Sequence, residues 1–567
     1  GSSTASPGPS PSPSPSPSPS PSTSTLDSNS SVEVSSGATL ELAANESVAS
    51  IEGSGTINLS TNRLTVSPGV DTTFSGTISG DGTSALSKEG SGKLTLSGSK
   101  SYSGDTEVKS GTLEVLGSPL SSSVTISADA TLEQRVEGTS FESQQAPIAG
   151  SGRFIKTGTG IFELTSANNY QGGTTVSEGT LQLSTTPSTL SSSSEVDVRS
   201  GATLKVTTTS EIAVLKGQGN VELEDVSSSF TSSSGDLGLS PSSSSELTLS
   251  VFGNSDSSFA GSISGTGGLR LNGSGRLLLS GENTFTGATQ ISGGVLQVSN
   301  PSALSGTSEV ILEGGTLQSS TDLILNSGQN IRVGDSVAGV LNVDSATTTT
   351  VNGVISDLTS QQSGSLVKQG EGTLILNGEN TYSGTTTVSA GKLDPGSLDG
   401  FGDGEIRVDG GTLLFSQSTE ADSSDSVILL AEGGTFEVIE GVVMTFPGVL
   451  SGEGSATKTG LGKLVLSGDN TYTGSSNVNA GELEVSGSLN DSSALNVNSS
   501  GRYVVSKNDT IGSISGGGEV SLNSSQLTVG ADNTTSTFSG ILSGSGGLTK
   551  IGSGTLTLSG DNTFTGT

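Results

Sequence analysis

The chain has 567 residues, 84 of them Gly, and only 14% are charged, against about 25% in an average soluble domain. Its 22 basic and 55 acidic residues leave a net charge of −33, which excludes nucleic acid and anionic membrane surfaces as partners, since both are held by clustered Lys and Arg. Cys, His and Trp are absent, and with them go disulfide frameworks, zinc fingers, thiol chemistry and Ser-His-Asp hydrolysis.

The first 26 residues stand apart. Pro and Ser alternate from Pro9 to Ser22, a composition that favours extended polyproline II and cannot build a core. Residues 1–26 read as a disordered Pro/Ser linker. From Leu26 onward the texture changes to short runs of Leu, Ile, Val and Thr divided by Gly, Asn and Ser. Alternation such as Lys93-Leu94-Thr95-Leu96 or Glu482-Leu483-Glu484-Val485 predicts half-buried strands. No long stretch carries helical periodicity, so the chain is all-β. No apolar run approaches the ~20 residues of a membrane helix; Val442 to Leu450, among the longest, contains Pro447. Membrane insertion by this segment is therefore not expected.

Internal repeats set the architecture. The motif G-x-G-x-L/F-x-L-x-G/S-x-N-T-Y/F-T/S-G recurs with its aromatic at Tyr102, Tyr170, Phe285, Tyr382, Tyr472 and Phe564, at intervals of 68, 115, 97, 90 and 92 residues. Tandem immunoglobulin-like sandwiches have this size, but the intervals vary too widely and a finer period lies inside them. The pairs Leu94/Leu113, Phe162/Leu181, Leu277/Leu296, Leu374/Leu393 and Leu464/Leu483 are each separated by 19 residues. Echoes follow at Leu132, Leu204, Leu317, Leu413 and Tyr503, and again at Phe436. A step of about 21 residues with matching side chains predicts a solenoid whose inward residues stack from coil to coil. Within one coil, Leu464, Tyr472 and Val478 would point inward from three short strands. The fold expected is a right-handed parallel β-helix of about 26 coils over residues 27–567, on the order of 120 Å long. Its six repeat units fall at approximately 74–115, 148–183, 259–298, 351–393, 446–485 and 538–567, the last cut off at Thr567. The Ser-rich tracts at 191–194 and 242–245 break the rhythm and are expected to be bulged or less regular.

The stretch Ser365 to Leu393, SLVKQGEGTLILNGENTYSGTTTVSAGKL, resembles the autotransporter-associated β-strand repeat. That repeat is found in passenger domains of bacterial autotransporters and in other large surface proteins. The resemblance implies a secreted β-helical stalk at the cell surface, held at the outer membrane by regions outside this segment. The Pro/Ser tract is not part of the motif, and no translocator barrel follows it here. A chain that starts at Gly1 without a signal peptide and stops inside a repeat is expected to be a piece of a longer polypeptide, or to pack end-on against another subunit.

Four features of the sequence come near known chemical sites. Gly452 to Thr459 comes near a phosphate-binding loop, but Thr457 stands where the second Gly belongs and a strand follows instead of a helix. Lys88, Lys156, Lys368, Lys458 and Lys550 share one repeat slot, which marks a structural position. Glu282, Glu379, Asp469 and Asp561 share another, where an acidic ladder could hold Ca²⁺; Ser99 and Ala167 interrupt it, which favours carboxylates serving local turns. Gly400 to Glu405 lacks EF-hand spacing. No catalytic, cofactor-binding or metal-ligating residues are assigned, no cofactor is implied, and the chain is read as not an enzyme. The leading function is an extended surface stalk or passenger region, adhesin-like. The alternatives are a subunit of an extracellular filament or surface layer, and a polysaccharide-binding or -degrading β-helix. The partners expected are a second copy, end-on or laterally, and surface glycans or ligands on a host or neighbouring cell.

Overall fold

The computed structural model describes residues 26–566 apart from 185–189, 192–193, 225–247, 362, 397 and 421–425. Residues 1–25 of the Pro/Ser linker, the tract at 242–245 and part of that at 191–194 lie outside the described residues. The rest is a parallel β-solenoid of about 24 turns, which at 4.8 Å per turn is about 115 Å long. Among the described residues the regular structure is strand, except for one 3₁₀ turn at Leu398–Phe401.

Short strands, most of them three to six residues long, succeed one another around three faces, because alternating apolar residues bury one side and corners rich in Gly, Ser and Asn bend the chain onto the next face. One face is a sheet of 20 parallel strands from Ser31–Val34 to Leu450–Gly452. Near the C-terminal end, strands Ser476–Val485 and Ala494–Val505 run around a corner and pair along both sides of it, with a bulge between Val478 and Ala480. They join two faces into a single sheet of 17 strands.

The stacking inferred from the 19-residue step is present residue for residue. Leu94 pairs with Leu113 and Leu113 with Leu132; Phe162 pairs with Leu181 and Leu181 with Leu204. Leu277, Leu296 and Leu317 form another column. Leu374, Leu393, Leu413 and Phe436 form a further one, as do Leu464, Leu483 and Tyr503. All are buried and belong to one continuous apolar column. Aromatics reinforce it where they meet: the Phe154 ring lies 5.9 Å from both Phe162 and Tyr170.

The turn number is lower than the 26 expected because the step is not uniform. It is 19 residues inside the repeats, 27 between Gly339 and Leu366, and 42 between Gly217 and Phe259. The repeat motif also fails to stay on one face. Leu94 and Leu277 lie in the 20-stranded sheet, whereas Phe162 and Leu374 sit one strand later in their turns and Leu464 two strands later. The same local sequence thus closes any of the three corners.

Candidate functional site: the repeated corner

The most elaborate polar chemistry is the corner that each repeat copy builds. Lys88, Lys156, Lys368 and Lys458 point inward at the last or next-to-last position of their strands and are almost completely buried. Lys88 Nζ donates to the carbonyls of Glu89 (2.8 Å), Gly90 (2.9 Å) and, one turn on, Ser110 (3.0 Å). Lys156 donates to Thr157, Gly158 and Glu178, Lys368 to Gln369, Gly370 and Ala390, and Lys458 to Thr459, Gly460 and Ala480. An ammonium has three protons, and three carbonyls receive them. Burial pulls these groups down to about 8. The three acceptors favour the charged form, since a neutral amine would turn its lone pair on one of them. At neutral pH each lysine is therefore a cation consumed by its own corner, with no phosphate cradle and no free nucleophile.

The corner leaves no room for a side chain on its far wall. Gly111 has φ +65°, and a Cβ there would come within 2.5 Å of the Gly90 carbonyl oxygen and 2.9 Å of Lys88 Nζ. This close approach, together with a left-handed backbone, dictates Gly.

Eight residues after the Leu94, Phe162, Leu374 or Leu464 position comes the buried Tyr, whose hydroxyl is paired four residues on. Tyr102 meets Thr106 at 2.6 Å, Tyr170 meets Thr174 at 2.8 Å, and Tyr382 and Tyr472 meet Thr386 and Ser476 at 2.5 Å. Two residues before the aromatic sits a buried Asn that clips two turns together. The backbone N–H of Ile148 donates to Asn168 Oδ1 (2.8 Å), and those of Ile263, Ile355 and Leu450 donate to Asn283, Asn380 and Asn470. On the other side Asn283 Nδ2 donates to Ala303 O and Asn380 Nδ2 to Gly400 O. Sequence reasoning saw this Asn only as a turn former. Its presence in five copies beside a variable neighbour was the available signal. In the first copy Lys100 replaces it and donates to Gly98 O and Leu116 O.

The other sequence candidates take structural places or stay apart. Glu282, Glu379, Asp469 and Asp561 are exposed and separated by several turns; Asp469 accepts from Ser488 Oγ at 3.1 Å. Among the described residues no three acidic side chains gather where they could hold a metal ion. The Gly400–Glu405 cluster is the 3₁₀ corner receiving the Asn380 clip, with Glu405 paired to Arg407 at 2.7 Å. Ion-pair ladders cross the turns at the surface, as where Arg502 lies between Glu482 and Glu519; solvent screening leaves them little energetic weight.

Comparison with known families accounts for this corner. The passenger-associated-transport-repeat family matches residues 86–115, 154–183, 269–298, 366–394, 457–485 and 548–567. The chain carries six passenger-associated-transport repeats. Each contains the Lys slot, the Asn or Lys clip and the aromatic described above, with Leu271 and Phe285 as the third copy's variants. These repeats, set on a parallel β-solenoid, form a structural passenger region. A curated relative, the adhesin BmaC autotransporter of Brucella suis biovar 1 (strain 1330), is 31% identical over 324 residues, covering 53% of this chain. The chain spans only 9% of that protein's length. No solved structure matches the chain. Among the described residues no helix is long and apolar enough to cross a membrane.

Proposed function

We propose that this chain is an extended stalk of a secreted or cell-surface bacterial protein, with a spacing role and no catalysis of its own. The observation that carries the reading is the buried Lys corner. The residues that recur most regularly along the rod, Lys, Asn, Tyr and Gly, spend their chemistry on holding one turn to the next. An interior filled by side chains and closed by such clips gives stiffness and length, and leaves its repeated groups no capacity for substrate. The passenger repeats and the likeness to an autotransporter adhesin support a location outside the cell, with attachment through other parts of the polypeptide.

The test is an in-phase deletion. Removing residues 93–275 joins Gly92 to Arg276, so that Leu277 takes the place of Leu94 on the same face after the loss of eight turns. The rod should shorten by about 38 Å, measured by electron microscopy, and should still display an attached tag. Loss of a catalytic activity carried by the deleted turns, with the remaining fold intact, would reject the spacer reading.

A further inference from the structure

The third repeat copy departs from the others in a way that its corner does not explain. Leu271 stands where four copies bury a lysine, and the cation moves one residue back to Arg270. The same position carries Ser87, Ile155, Val367, Thr457 and Thr549 in the other copies. Arg270 lies between the buried Leu269 and Leu271 on strand Gly268–Leu271, so its side chain leaves the solenoid. Its Nε is nevertheless shielded from solvent and has no hydrogen-bond partner.

The turns that follow build a recess beside it. The corner between the face bearing Arg270 and the 20-stranded sheet is three residues long at 292–294 and at 313–315 and lengthens to five at 334–338, with Leu358 opening the next. Beside these corners lies a cavity of about 260 Å³, lined by Arg270, Ser292, Glu313, Asp335, Val337 and Leu358. Glu313 is held in place by Gln290 Nε2 at 2.5 Å and Ser292 Oγ at 3.1 Å. Ser336 donates to Asp335 Oδ1 at 3.0 Å. Val337 is 60% exposed at the rim. Lengthened corners on a rigid scaffold are where binding residues are typically placed.

We propose that this corner cavity binds one neutral sugar residue of a glycan. Its volume lies just below the roughly 300–1,000 Å³ of drug-sized pockets, which suits a single ring. One guanidinium and two carboxylates give both donors and acceptors with a formal balance of −1, matching vicinal hydroxyls, which donate and accept at once. An anionic ligand meets two carboxylates inside a chain of net charge −33. A cationic ligand meets the Arg270 guanidinium in the same recess. Val337 and Leu358 offer an apolar wall to the C–H face of a ring. The inference rests on this cavity and not on the stalk reading.

Saturation-transfer NMR on the full chain tests it with glucose, galactose, mannose and N-acetylglucosamine, alongside N-acetylneuraminic acid and tetralysine. At least one neutral sugar should bind. Arg270→Thr, which installs the residue of the fifth copy, and Glu313→Gln should each weaken binding by about tenfold or more. Arg199→Ser, on a distant exposed arginine, should leave it unchanged. Val337→Arg, at an exposed rim position that cannot disturb the core, should block entry with the fold intact. The proposal is overturned if no neutral sugar binds, if binding ignores Arg270 and Val337, or if the acid or tetralysine binds there in their place.

Discussion

Asp509 is a carboxylate standing where the fold elsewhere uses an amide. The backbone N–H of Leu489, twenty residues earlier, donates to both of its oxygens at 3.3 Å, as those of Ile148 and Leu450 donate to Asn168 and Asn470. Thr510 N–H adds a bond to Oδ1 at 3.0 Å, and Tyr503 Oη lies 3.5 Å from Oδ2. Burial raises this carboxyl from 3.8 to about 6, opposed by the two backbone donors and assisted by Asp491. The folded chain therefore binds the proton more tightly than the unfolded chain. The associated stability is complete below about pH 4 and is lost as pH rises through 6. A shift of about two pK units corresponds to about 3 kcal/mol at 1.36 kcal/mol per unit. Asp509→Asn keeps the acceptor for Leu489 N–H and removes the buried charge, so it should stabilise the local turns by about 1–3 kcal/mol at pH 7.4 and have little effect at pH 4. The loss of stability between pH 4 and 6 should flatten. Hydrogen exchange at Leu489, Thr510 and the strand Leu527–Val529, followed at both pH values, reads this directly. Faster exchange in the variant at pH 7.4, or a pH dependence equal to that of the parent, would refute the argument.

Lys368→Met should leave the carbonyls of Gln369, Gly370 and Ala390 without their donor, a loss of about 2–3 kcal/mol seen as faster exchange confined to the adjoining turns; Leu271 in the third copy shows that an apolar side chain still folds there. Tyr472→Ala should cost about 3–5 kcal/mol through the cavity it leaves, again locally, because a solenoid couples only neighbouring turns. Gly391→Ala should be worse tolerated than most core truncations, since φ is +62° and the new Cβ would lie 2.4 Å from Gly370 O; a variant as thermostable as the parent would contradict the corner geometry. All five tyrosines are buried and raised, Tyr472 to about 12. Absorbance at 295 nm should therefore show no tyrosinate near pH 10 in the folded chain, and stability should fall above pH 10 as the unfolded chain ionises first.

Much of this molecule is legible in one dimension because its contacts are nearly local: in a solenoid each inward residue touches the residue one turn away, about twenty positions along. The invariant 19-residue step therefore predicts the pairing of Leu374 with Leu393 and Leu464 with Leu483, and the alternation of apolar residues identifies the strands. The slot shared by Lys88, Lys156, Lys368 and Lys458 was recognisable as structural from its recurrence alone. Its purpose was not, because the three carbonyls that hold each ammonium come from two turns and meet only when the corner closes. The same holds for the Asn clip, whose donor lies 20 to 25 residues upstream, and for Asp509, which no repeat motif covers. Tertiary structure alone also assigned the repeats to faces. Intervals of 68 to 115 residues are not whole numbers of turns, so successive copies fall on different sides of the rod, and the lengthened corners beside Arg270 enclose a cavity only once their turns are stacked. A periodic sequence determines which residues stack, since stacking is a nearest-neighbour property; the direction each copy faces depends on the accumulated length of every turn before it.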